Sequence, residues 1–90
     1  MTPVQREVAI TNKRGLHARA SAKFVTLASN HDAAIEVHKD GSKVCGTSIM
    51  GLMMLGAAMG DTITISATGL GAEMAVNALA ALVEAKFGED

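Results

Sequence analysis

His17 is the histidine of this 90-residue chain with basic side chains close on both sides: Lys13 and Arg14 precede it, Arg19 and Lys23 follow. No acidic residue occurs between Glu7 and Asp32, and these four cations are half of the eight Lys and Arg. An imidazole nitrogen can attack a phosphoryl donor and hold the product as a phosphoramidate. Arg19 offers a planar fork of donors that matches phosphate oxygens. If a helix starts just after His17, the N–H groups of Ala18, Arg19 and Ala20 lack intrahelical partners and, with the helix dipole, favour an anion. The plainer reading, a surface histidine beside a helix start, stays open on these residues alone, because anion sites there are common and often non-catalytic.

Other reactive side chains carry less. His31 and His38 combine with His17 in no spacing that matches a metal motif, and no Cys or acidic residue falls at ligand spacing with two of them. No metal site and no cofactor are expected. Cys45 is alone, so no internal disulfide can form; a reduced, cytoplasmic compartment is the natural expectation, with the thiol semi-buried at a strand end. Gly69-Leu70-Gly71 precedes a helix but lacks the third glycine of a dinucleotide fingerprint and its parallel context, and there is no Walker A sequence. Ser48 has two readings: an N-cap that accepts a backbone N–H, or a phosphorylation site at a helix start beside an apolar face.

These side chains need elements to hold them. Val4 to Ile10 alternates, with Val4, Arg6, Val8 and Ile10 on one face, as a half-buried strand does. Thr11 to Gly15 reads as a loop. Ala18 to Ser29 reads as a helix of about three turns, with Ala18, Ala22, Val25 and Ala28 or Ser29 on the stripe and Ser21 and Lys23 on other faces. Ala33 to Lys39 alternates again, with Ile35 and Val37 inward; Asp40-Gly41 is a hairpin turn leading into Ser42 to Cys45. Ser48 to Leu55 reads as a short helix too apolar to have one wet side, so part of it should face a partner. Thr62 to Ala67 is a fourth strand, with Ile63, Ile65 and Ala67 inward and Thr62, Thr64 and Ser66 outward. Ala72 to Phe87 is the clearest helix, with a stripe of Val76, Leu79, Val83 and Phe87. The order βαββαβα, with one alternating face per strand, predicts an open-faced two-layer α+β sandwich: a four-stranded antiparallel sheet covered on one face by three helices.

Composition bounds the function. Ninety residues, 49% of them hydrophobic, suffice for one domain, 1–90, with its own core. That core must be aliphatic, since Phe24 and Phe87 are the only aromatics. A net charge of −1 and the absence of Trp and Tyr argue against a nucleic-acid partner. Gln5, Arg6 and Glu7 interrupt any signal-peptide core, and the longest uncharged stretch, Val44 to Gly60, is rich in glycine and shorter than the ~20 apolar residues a spanning helix needs. A soluble, monomeric, non-membrane protein is expected.

Gly15-Leu16-His17-Ala18-Arg19, followed by Ala20 to Val25, resembles the active-site segment of HPr, the histidine-containing phosphocarrier family of the bacterial phosphoenolpyruvate-dependent phosphotransferase system. Thr47-Ser48-Ile49-Met50-Gly51-Leu52-Met53-Met54-Leu55-Gly56 resembles the family's second signature, a regulatory serine and its short helix. The likeness covers essentially the whole chain. It implies that His17 carries a phosphoryl group on Nδ1, that Arg19 and the backbone of Ala18 and Arg19 help hold it, and that HPr kinase/phosphorylase acts on Ser48 where that enzyme exists. It further implies a donor, enzyme I, to which any magnesium would belong, and an acceptor, an enzyme II A domain. The chain itself would be a carrier and not an enzyme. Leu16, Lys23, Ile49, Met50, Leu52 and Met53 are the expected partner contacts, with Arg14, Arg19 and Lys23 steering acidic partners. One residue departs from the pattern: the family commonly has proline after the arginine, where this chain has Ala20, which suits a helix and adds a donor.

Two competing functions share these features. One is a regulatory phosphorelay module, nitrogen-type or carbon-control, that binds target proteins without serving sugar uptake. The other is a small-ligand-binding α+β domain without phosphoryl chemistry.

Overall fold

A computed structural model describes residues 2–89. Its elements are β1 (Val4–Ala9), α1 (Ala18–Ser29), β2 (Ala34–Lys39), β3 (Ser42–Cys45), α2 (Ile49–Met54), β4 (Thr62–Thr68) and α3 (Ala72–Glu84), followed by a single 3-10 turn, Lys86–Gly88. The sheet runs β1-β4-β2-β3 and every neighbouring pair is antiparallel. Helices cover one face. This is the expected open-faced α+β sandwich.

Alternation explains the sheet. Val8, Ile35, Val37, Ile63, Ile65 and Ala67 turn inward and are buried. The β2–β3 hairpin turns through Asp40 and Gly41, both with positive φ (50° and 84°), the geometry that matches strand twist in a two-residue turn. Arg6 shares the inward face of β1 but lies exposed: its long side chain carries the guanidinium out to Glu84 of α3, with Nη2 3.3 Å from the carboxylate. Ser66, expected outward in water, is buried, because β4 is a central strand and Ser66 lies between the longer Gln5 and Glu36 of its neighbours.

Helix α1 has the expected span but a different inner face. Ala20, Ser21, Phe24 and Ala28 are buried, whereas Ala18 is exposed and Ala22 and Val25 are only partly covered. Phe24 decides this: it is the largest apolar side chain of the helix, and i−4, i+4 spacing brings Ala20 and Ala28 in with it. Ser21 enters the core without an orphaned hydroxyl, since its Oγ donates to the Leu16 carbonyl at 3.2 Å.

Helix α3 ends at Glu84, earlier than the run to Phe87 suggests. Lys86 and Phe87 take positive φ (58° and 57°), as does Gly88 (76°). Left-handed backbone costs a non-glycine residue about 1–2 kcal/mol. For Lys86 and Phe87 together that is about 2–4 kcal/mol, most of it offset by burial of the whole Phe87 ring at about 1.5–3 kcal/mol, and Lys23 Nζ donates to the Phe87 carbonyl at 2.7 Å. The segment after α3 is thereby folded back towards the start of α1.

Candidate functional site

The loop before α1 is built from the inside. Asn12 is fully buried, and its Nδ2 donates to the Gly15 carbonyl at 2.9 Å. Gly15 turns the chain with φ 65°, and Leu16 N–H then bonds the Ala57 carbonyl at 2.9 Å. Leu16 is buried, which pins the residue before the histidine.

His17 follows as the N-cap of α1, with extended backbone (φ −75°, ψ 179°). The first rung of the helix is Ser21 N–H to the His17 carbonyl, 2.9 Å. No side chain caps the turn, so the N–H groups of Ala18, Arg19 and Ala20 are left for an outside acceptor. Ala20, where the family's proline would stand, packs its methyl into the core and keeps its N–H.

The imidazole is one-fifth exposed. Its Nε2 lies 3.0 and 3.2 Å from the two carboxylate oxygens of Glu89. A carboxylate only accepts, so Nε2 carries the hydrogen and donates it, which in the neutral ring places the lone pair on Nδ1. Glu89 Oε1 also accepts from Asn12 Nδ2 at 2.8 Å. The Asn12 bond first, then the His17 bond, holds the Glu89 carboxyl below its ordinary 4.5.

A pH dependence follows. A carboxyl whose folded value is depressed adds stability above its ordinary value, and loses that contribution as pH falls through the folded one. The stability gap between wild type and Glu89→Gln should therefore be full at neutral pH and shrink below pH 4.5. Paired denaturant melts from pH 7 to pH 3 check this; a gap that widens on acidification contradicts it.

Lys13, Arg14 and Arg19 line an open cleft of about 320 Å³ together with Glu89, the residue that contacts His17. Lys23, expected among the steering cations and partner contacts, is exposed and keeps its charge while donating from Nζ to the Phe87 carbonyl at 2.7 Å.

Helix α2 packs beside α1 and against β3. Ser48 is its N-cap, with Oγ accepting from Gly51 N–H at 2.9 Å. Ile49, Met50 and Met53 are exposed, and so is Met54. Leu16 and Leu52 do not belong to this face. Both are expected contacts from the sequence and both are buried, Leu52 completely, because a helix laid on a core must turn one side inward.

The other candidates stay apart. His31 follows the far end of α1, about 18 Å from its start for 12 residues. His38 lies on β2 beside Glu36, at 3.6 Å. Cys45, expected semi-buried, is exposed at the hairpin edge, where hydrogen bonds from Thr47 pull its thiol down from the usual value. Sequence reasoning missed Glu89 and Asn12. Glu89 is 72 residues from His17, and its one signal is the apolar anchor Phe87 two positions earlier.

Such a geometry marks out a class: small α+β proteins that present an imidazole, uncapped N–H groups and a cationic cleft at a helix start, with a second, apolar helix beside it. Residues 4–85 match the family model of the PTS HPr component phosphorylation site. A phosphocarrier protein NPr from Shewanella violacea is 47% identical over 89 residues, 99% of this chain and 98% of that protein. A phosphocarrier protein HPr from Cupriavidus necator is 45% identical over 86 residues, 96% of this chain and 97% of that protein. The crystal structure of HPr-C-His from Thermoanaerobacter tengcongensis superimposes with a TM-score of 0.90 at 47% identity, over 100% of this chain and 99% of that one. The chain belongs to the HPr family of phosphocarriers.

Proposed function

We propose that this chain, acting as a single monomeric domain in the cytoplasm, relays phosphoryl groups within the phosphoenolpyruvate-dependent phosphotransferase system. Enzyme I supplies the group from its own phosphohistidine. The Nδ1 lone pair of His17 attacks phosphorus, the donor nitrogen leaves, and a histidine on an enzyme II A domain later reverses the chemistry. No net reaction is completed by the carrier alone, so it is not an enzyme in its own right.

The observation that carries this reading is the Glu89 contact to Nε2, which leaves Nδ1 as the nucleophile at the uncapped start of α1. Arg19 and the N–H groups of Ala18 and Arg19 receive the phosphoryl oxygens. Lys13, Arg14 and Arg19 steer acidic partners, while exposed Ile49, Met50, Met53 and Met54 supply a small adaptable contact that releases readily.

The test is incubation with phosphoenolpyruvate, enzyme I and magnesium, followed by intact mass. A phosphate-sized gain that acid removes and alkali spares is expected, and a cognate A domain should discharge it. No gain sinks the reading. A regulatory phosphorelay is the second reading, favoured by near-equal identity to a protein named NPr and one named HPr, 47% and 45%. Charging by enzyme I without discharge to any sugar-specific A domain would select it.

Ser48 is the proposed regulatory site for HPr kinase/phosphorylase. A negative charge there would sit at the head of the exposed Met face and repel an acidic partner drawn by the His17 cations. Ser48→Asp should slow charging by enzyme I about tenfold, the scale of ~1.4 kcal/mol for one adverse charge in a contact. Equal rates for the variant and wild type would refute it.

A further inference from the structure

Glu89 sets a negative charge against a ring that is to receive a phosphoryl dianion, and the tautomer it selects in the resting ring does not account for what that charge does once phosphorus is bound. The contact is nonetheless heavily built. The segment that carries it is turned by left-handed Lys86, Phe87 and Gly88. It is anchored by the fully buried Phe87 ring and by Lys23 Nζ on the Phe87 carbonyl. Its carboxylate is aimed by Asn12, a fully buried side chain that bonds Glu89 and the Gly15 carbonyl with the same nitrogen.

We propose that Glu89, aimed by Asn12, is a positioning residue that keeps a proton on His17 Nε2 through both halves of the phosphoryl cycle. The proposal rests on the phosphocarrier reading and deepens it.

In the resting ring, Nε2–H donates to Glu89 and Nδ1 holds the lone pair. When Nδ1 bonds phosphorus, the donor's nitrogen–phosphorus bond breaks and its electron pair leaves with the donor. The His17 ring then carries phosphorus on Nδ1, hydrogen on Nε2 and a positive charge, which the Glu89 carboxylate offsets. On transfer to the acceptor, the Nδ1–phosphorus bond breaks and its pair returns to Nδ1, so the leaving group is neutral imidazole. Had Nε2 lost its proton, the leaving group would be an imidazolide anion, a far poorer one. Glu89 approaches the ring nitrogen opposite to the one that bonds phosphorus, which keeps carboxylate and phosphoryl oxygens on separate sides.

The ring can be read without any phosphoryl donor, by 15N shifts of His17 at a pH where it is neutral. Wild type should show Nε2–H as the dominant tautomer, and Glu89→Ala a mixture of both. Glu89→Gln keeps an acceptor but no charge; it should hold the wild-type tautomer yet discharge to an A domain about tenfold more slowly, the scale of one charge-assisted hydrogen bond. An unchanged tautomer ratio in Glu89→Ala, or wild-type discharge by Glu89→Gln, overturns the proposal. A wild type that shows the Nε2–H tautomer but never charges counts against the carrier reading alone.

Discussion

His17→Ala abolishes phosphoryl acceptance while leaving the fold intact. Mass measured after incubation with phosphoenolpyruvate, enzyme I and magnesium shows no gain, where wild type gains one acid-labile phosphate. The loss is complete because no other imidazole occupies a comparable setting: His31 follows the far end of α1, and His38 sits on the sheet beside Glu36. The fold survives because the side chain, though only one-fifth exposed, caps nothing and is absent from the apolar core. Its one interaction of note, with Glu89, is a partly exposed pair, and such pairs contribute little to stability. A melting temperature within a few degrees of wild type accompanies the lost function. A gain that persists in His17→Ala sinks the assignment of His17.

Gly15→Ala strikes both stability and function. Gly15 has φ 65°, where an alanine costs about 1–2 kcal/mol. A Cβ there would also lie 2.3 Å from the Ala57 carbonyl oxygen and 2.9 Å from Ala58 Cα. Both are backbone atoms, so no rotamer relieves the clash, and the loop must move at an overpacking cost of about 1–3 kcal/mol. The sum, about 3 kcal/mol, lowers the melting temperature of a domain this size by roughly 12–24 °C. Movement of the loop breaks the Leu16 bond to Ala57, one residue before the imidazole, so charging by enzyme I falls as well. Gly41→Ala is the control. Its φ is 84° but nothing lies within 4 Å of the added Cβ, so it reports the backbone cost alone. If the two variants melt together, the close approach at Gly15 contributes nothing.

Most of the site's framework is legible in the order of the residues. The Asp-Gly turn, the Ser48 cap and the spans of α1 and α2 rest on residues that act within four positions of themselves. So does the anion-binding character of the α1 start, which needs only a helix beginning after His17. The inner face of α1 is different. In the sequence pattern four small residues outvote one ring, whereas in the core the volume of Phe24 dominates. Helix α2 shows another limit. A six-residue helix apolar on every side has no moment to say which side is inward, so the pattern offers Leu52 as a contact, although it is buried, and passes over Met54, which is exposed.

Chain order is enough to put a histidine at the mouth of a helix, with cations and no acid near it along the backbone. Folding brings an acid there after all. The bonds from Glu89 to His17 and Asn12 span 72 and 77 residues. No local spacing encodes them, because they depend on where α3 ends, on three left-handed residues that reverse the chain, and on the depth at which Phe87 seats in the core. Backbone periodicity is a short-range property, while the proton on His17 is positioned by packing across the whole domain.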